Sequence, residues 1–204
     1  MISAILSAIL ALAAQAGGAD APFDSIALQD GGEVVVRHGA RAAFVVREGG
    51  EGAVSRVGGE LRIAHSHRDR PRGSWLRVEV TVPDLSAVSV TNGGRIRLEG
   101  PFPDRERMAA RVEQGGAIDI RPVQVGMLEA SVYSGGQILA RVERTLDARV
   151  AHGGGILYWG RPRLVHEISD GGVVAPGRPE DVERSFGNVK PLAPPPPPPV
   201  PPVH

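Results

Sequence analysis

A glycine pair returns five times in the second half of this chain, and its flanks return with it. The pairs are Gly93-Gly94, Gly115-Gly116, Gly135-Gly136, Gly153-Gly154 and Gly171-Gly172, spaced 22, 20, 18 and 18 residues apart. Three residues before the first glycine stand Val90, Val112, Val132, Val150 and Ile168; three after it stand Ile96, Ile118, Ile138, Ile156 and Val174. Seven before it, the last four copies carry Met108, Leu128, Leu146 and Leu164. The residue just ahead of the pair is always polar: Asn92, Gln114, Ser134, His152 and Asp170. Apolar residues at alternating offsets mark strands with one inward face. The glycines suit a bend with positive φ or a close approach of neighbouring turns. The polar residue ahead of them is expected to hydrogen-bond the turn's own backbone. A repeat of this length cannot bury its apolar face alone, so copies must stack and share a core. The expected fold is all-β, a parallel β-helix-like solenoid with the glycine pairs at its turns. A string of antiparallel hairpins is the rival, because Asn92-Gly93 is also a good hairpin turn.

The segment 23–82 contains no helical period. Short β-type runs (IAL, EVVVRH, AAFVVRE, LRIAHSH and WLRVEVTV) alternate with turn signals at Asp30-Gly31-Gly32, Gly49-Gly50 and Gly58-Gly59. These strands are expected to cap one end of the stack. The other end, near Gly177, has no obvious cover and is a place for self-association with a second copy. Ahead of this segment, Ile2 to Ala14 form an uncharged apolar run closed by Ala14-Gln15-Ala16. That is the small-x-small ending of an export signal, and cleavage after Ala16 would start the mature chain at Gly17. A positive n-region is missing from the pattern. The resulting domain plan is a signal peptide at 1–16, a linker at 17–22, the β-repeat domain at 23–177 and a disordered proline-rich tail at 178–204. The tail carries six consecutive prolines, Pro194 to Pro199, which favour an extended polyproline helix and cannot join a sheet. It reads as a spacer or as a ligand for a proline-binding module. No membrane span is expected once the signal is cleaved.

The order of motifs across 23–176 resembles the putative auto-transporter adhesin, head GIN domain family of exported bacterial proteins. The resemblance rests on FDSIALQDGGEVVVRHG, the LRI strand, VEVTVPDLSAVSV leading into a glycine turn, the polar-Gly-Gly-x-Ile units and GILYWGRPRL. It departs from the family in favouring Gly-Gly over Gly-Ser-Gly turns and in its proline tail. The resemblance implies a right-handed β-helix or a similar stacked β-fold in the periplasm or on the surface of a bacterium. It also implies an adhesin-like domain of unknown function, with a cell-surface, glycan or envelope-protein ligand.

The search for chemistry returns little. With 23 basic and 23 acidic residues, the net charge is zero, so nothing electrostatic points to nucleic acid. The sequence has no Cys, which removes disulfides, thiolate nucleophiles and Cys-ligated metals. Lys190 is the sole lysine and follows no P-loop; G-x-G-x-x-G and G-x-S-x-G are not completed. Gly115-Gly116-Ala117-Ile118-Asp119 lacks the third glycine of a calcium-binding nonapeptide. His65-Ser66-His67 places two imidazoles on one strand face, but nothing brings a third ligand to them, His38 included. Glu129 and Asp147 each lie six residues before their glycine pair, so stacking would set them on neighbouring rungs, about 5 Å apart. That is close to the separation of a retaining glycosidase pair. Their strands also carry Arg111, Ser131, Arg149 and Glu167 one step along, which reads as a mixed solvated face. Tyr158-Trp159, the aromatic doublet of the repeat region, is the candidate binding feature, one ring expected inward and the other outward. The expectation is an exported structural or adhesive binding module, with no cofactor and no catalysis. The alternatives are a polysaccharide-active enzyme built on Glu129 and Asp147, or an envelope regulatory module acting through the tail.

Overall fold

The computed structural model describes residues 22–49, 53–64, 75–179 and 181. The export signal, the His65-Ser66-His67 stretch and the proline run lie outside the described residues. Fourteen strands follow one another: β1 Ser25–Gln29, β2 Glu33–His38, β3 Ala43–Glu48, β4 Val54–Val57, β5 Glu60–Ala64, β6 Arg77–Val82 and β7 Ala87–Thr91. The second half comprises β8 Arg95–Glu99, β9 Arg105–Glu113, β10 Ala117–Tyr133, β11 Gln137–Ala151, β12 Gly155–Trp159, β13 Arg163–Ser169 and β14 Val173–Pro176. All belong to one curled sheet, so the domain is all-β.

Apart from β4 and β5, which Gly58-Gly59 joins as an antiparallel hairpin, strands that flank a glycine pair do not pair with each other. Each pairs in parallel with the equivalent strand of the next copy, which overturns the hairpin alternative. Strands ahead of the glycines form one ladder: β5, β1, β7, β9, then the C-terminal parts of β10 and β11, then β13. Strands after the glycines form a second: β6, β2, β8, the N-terminal parts of β10 and β11, then β12 and β14. The long strands β10 and β11 run unbroken from one ladder into the other, with register shifts around Gln124 to Met127. At that bend Gly126 makes room for Arg144, whose guanidinium reaches across to Glu106.

Sequence periodicity counted five copies, and the structure contains a sixth. Asp30-Gly31-Gly32 joins β1 to β2 as Asn92-Gly93-Gly94 joins β7 to β8, with Leu28 facing Val90 and Val34 facing Ile96 across the ladders. The copy escaped notice because 62 residues separate it from its neighbour. All six residues ahead of the glycines hold φ between 53° and 60°. A polar residue tolerates this left-handed conformation best. Their side chains correct the sequence expectation in one respect: the contacts formed run along the column rather than back to their own turn. Asn92 Nδ2 donates to Asp30 Oδ1 at 2.9 Å, and His152 Nδ1 lies 3.0 Å from Asp170 Oδ2.

The two glycines of a pair do different work. A methyl group on Gly135 would meet nothing within 4 Å, whereas one on Gly136 would lie 2.8 Å from the Gly116 carbonyl oxygen and 2.5 Å from Val112 Cγ1. That closeness lets the turns hydrogen-bond to one another, with Gln137 N–H donating to Gly116 O and Gly155 N–H to Gly136 O, each at 3.0 Å. Inside, the valine and isoleucine columns flanking the pairs are sealed: Val90, Val112, Ile96, Ile118, Ile138 and Ile156 are fully buried. Each such side chain contributes roughly 1.5–3 kcal/mol of transfer free energy.

One end of the stack is closed by strands of opposite direction. β3 pairs antiparallel with β6, and β4 antiparallel with β5. Arg56 of β4 bridges them, its guanidinium carbon 5.1 Å from the Phe23 ring and 5.5 Å from the Phe44 ring. Within 23–82, β3 and β4 are the outermost strands and run antiparallel, while β1, β2, β5 and β6 join the parallel ladders. The outer face of the second ladder carries a connected ionic row: Arg47, Glu79, Arg37, Glu99, Arg97, Glu33 and Arg77. Within it the Arg47 hydrogen bond holds the Glu79 carboxyl below its ordinary range, against the opposing pull of burial.

Gly136→Ala is expected to destabilise far more than Gly135→Ala. Both incur the left-handed penalty of roughly 1–2 kcal/mol, but only the former adds a collision, of the order of 1–3 kcal/mol. Thermal melts of the two variants check this. Because the Glu79 pKa is depressed on folding, its contribution is present above its unfolded value and disappears as pH falls through its folded value. Arg47→Ala should therefore lower the melting temperature at neutral pH, and the gap should close in acid.

Candidate functional site

The outward side chains of the first ladder form three rows, read along β7, β9, β10, β11 and β13. The first row holds Ala87, Ala109, Glu129, Asp147 and Val165; the second holds Ser89, Arg111, Ser131, Arg149 and Glu167. The third holds Thr91, Glu113, Tyr133, Ala151 and Ser169. Small side chains leave the backbone shallowly accessible between longer ones, and three open grooves result on this one face. One of about 390 Å³ lies among Arg111, Glu113, Tyr133, Arg149 and Glu167. A second, of about 480 Å³, runs over Arg107, Met127, Glu129 and Asp147. The third, of about 380 Å³, joins them across Ser89, Ser131 and Arg149.

The guanidinium groups fold along their own strands rather than across the ladder. Arg111 Nε donates to Glu113 Oε1 at 2.7 Å, and Arg149 Nη2 to Asp147 Oδ2 at 2.9 Å. Such pairs present planar arrays of donors and acceptors to whatever docks. Tyr133 stands beside them, 50% exposed, its ring edge-on to His152 at 5.0 Å. An exposed aromatic ring beside planar polar groups suits a sugar face or an extended polar chain.

The carboxylates singled out from the sequence do fall in register, Glu129 directly beside Asp147. Their surroundings fit a binding surface better than an acid–base pair. Glu129 is exposed and Asp147 is already bound by Arg149, whereas a general acid at neutral pH needs seclusion from water. Tyr158 and Trp159 point to opposite faces, as alternation requires. Tyr158 packs on the main core, and Trp159 on the small outer cluster with Leu139 and Leu157. Arg121 lies over the Trp159 ring at 5.1 Å while pairing with the buried Asp119 carboxylate. Both rings of the doublet are half-buried. Tyr133 is the exposed aromatic of the repeat region, Trp75 being exposed ahead of β6, and sequence reasoning passed over Tyr133 although alternation placed it outward. His38 is exposed, its ring 6.0 Å from that of Phe102. Among the described residues no group of three metal-binding side chains gathers, and no helix is long and apolar enough to cross a membrane.

The family model described as "Putative auto-transporter adhesin, head GIN domain" matches residues 22–106 and 104–162. No curated protein matches the chain. Similar solved structures include a putative adhesin from Bacteroides fragilis NCTC 9343, at 16% identity and a TM-score of 0.42, covering 76% of this chain and 91% of that one. A putative adhesin from Parabacteroides distasonis ATCC 8503 is 14% identical with a TM-score of 0.46, covering 77% and 94%. A putative lipid binding protein from the same organism is 13% identical with a TM-score of 0.38, covering 76% and 92%.

Replacing Glu129 and Asp147 together by Ala is expected to change stability by no more than about 0.5 kcal/mol. It should also leave reducing-end release from polysaccharides at the level of the unaltered protein. Any release that the double variant abolishes would restore the enzymatic reading.

Proposed function

We propose that this chain, which belongs to the auto-transporter adhesin, head GIN domain family, works as an exported, non-catalytic binding module of the bacterial envelope or surface. Its body is a stiff right-handed β-solenoid, a reading supported by the in-register parallel pairing of successive copies. Its binding surface is the outer face of the first ladder. The observation that carries this is the meeting of three grooves on one face with the half-exposed Tyr133, whereas the groove of about 570 Å³ over the glycine turns of the second ladder is lined chiefly by backbone and small side chains. A face on which Ala and Ser alternate with longer polar side chains accommodates an extended ligand along the stack. The mixed, internally paired charges favour a polyhydroxylated, uncharged partner over a polyanion. A neutral glycan of the cell surface or matrix fits that description.

Two measurements test the reading. In intact cells, protease should remove a tag placed on the domain; a tag that survives until the envelope is broken would place the domain inside and end the surface reading. In a glycan and matrix binding screen, Tyr133→Ala should weaken the best interaction about ten-fold, equivalent to ~1.4 kcal/mol. Undiminished binding by that variant would move the site off this face.

A further inference from the structure

The two ends of the stack are finished differently. At one, β3 and β4 lie antiparallel beside the outermost parallel strands β6 and β5, with Arg56 against the Phe23 and Phe44 rings; at the other, among the described residues, β13 pairs with β11 and β14 with β12, each in parallel. Three of the large apolar side chains that stand exposed, Val165, Ile168 and Val173, belong to this last copy. The inward column Ile26, Val88, Ala110, Ala130, Ala148 ends there in His166, which is exposed.

Of the two edges at this end, only that of β13 offers a row of N–H groups unbroken by proline. In β14, Val173 N–H and Gly177 N–H are spent on Gly154 O and Tyr158 O. The outward positions are then Val174 and Pro176, and Pro176 has no N–H to offer. In the first ladder, positions equivalent to Val165 donate to the preceding copy, as Ala109 N–H does to Ser86 O. The alternate positions donate to the following copy, as Gln114 N–H does to Tyr133 O. By that alternation His166, Ile168 and Asp170 aim their N–H groups at the free edge.

We propose that β13 is the contact strand of a two-fold symmetric dimer, pairing antiparallel with β13 of a second copy about His166. The inference rests on the stacked-copy reading above. A two-fold axis at His166 makes it a hydrogen-bonded self-pair, sets Leu164 opposite Ile168 on the inner side, and brings Arg163 to Ser169 beside Asp170. Leu164 meets Ile168 on both sides of the axis, while on the outer side Val165 falls opposite Glu167 and Arg163 opposite Ser169, so the inner, apolar side of the edge is complementary to itself. From Pro191 onward the sequence is rich in proline, which lacks the N–H that strand pairing needs.

The test uses the purified exported protein, whose lack of cysteine makes introduced thiols unambiguous. In an antiparallel hydrogen-bonded pair the two Cα atoms lie about 5.5 Å apart, within the disulfide range of roughly 4.4–6.8 Å. His166→Cys should therefore oxidise to a covalent dimer, while Val57→Cys at the capped end should not. Light scattering across a concentration series should show the mass doubling for the unaltered protein. The doubling should be lost in Ile168→Pro and, should that variant fail to fold, in His166→Glu, which sets two like charges on the axis. A protein monomeric at every concentration, or crosslinking equally at Val57→Cys, overturns the proposal. A Glu129→Cys/Asp147→Cys protein separates the two possible failures. If its intrachain disulfide closes while no dimer forms, the dimer alone is wrong; if it does not close, the stacked reading itself has failed.

Discussion

Everything in this molecule depends on neighbouring turns coming close enough to hydrogen-bond. The second glycine of each pair makes that approach, because its carbonyl accepts the next copy's N–H and no side chain intervenes. With the turns in contact, the strands on both sides are held in register, and the valine and isoleucine columns meet their own kind above and below. Were the turns a side chain apart, both ladders would splay and the core would open. The polar residue ahead of each pair plays the supporting part: it accepts a left-handed backbone that an apolar, branched residue would resist.

Much of this architecture was legible in the residues. Val112 and Ile118 lie at fixed offsets from Gly115, and a column of such residues implies stacking as soon as the copies are aligned. The sixth copy was hidden, since 23–82 interposes four more strands, β3 to β6, between its own two strands and its structural neighbour, and regular spacing shows only between adjacent segments. The antiparallel closure by β3 and β4 was hidden for a related reason. Strand direction leaves no trace in a run such as AFVVRE. The site was half legible: alternation placed Glu129 and Asp147 side by side, and it equally placed Tyr133 outward. A Tyr next to a glycine turn carries no motif, so the Tyr158-Trp159 doublet drew attention instead.

The two outer faces divide labour. On the second ladder, long side chains of opposite sign are laced across strands from Arg47 to Arg77, and the surface is occupied by its own contacts. On the first, Arg111 and Arg149 pair within their own strands while Arg144 reaches across to Glu106 at the bend, and Ser and Ala fill the intervals, which leaves relief in the surface. The same β-structure thus yields one face satisfied internally and one available for recognition, the difference lying wholly in which outward residues are long.

The way the chain leaves the sheet has a mechanical consequence. Among the described residues β14 is the last strand and is held by β12 alone, with the Gly177 N–H to Tyr158 O bond just beyond it. A pull applied from the C-terminal side would load that bond first and then its neighbours singly, as a zip opens, instead of straining the ladder together in shear. Tension from that direction would strip the final strand at low force while β10 and β11, threaded through both ladders, kept the rest intact. Such a domain yields at its end like a fuse and leaves the body behind it unbroken.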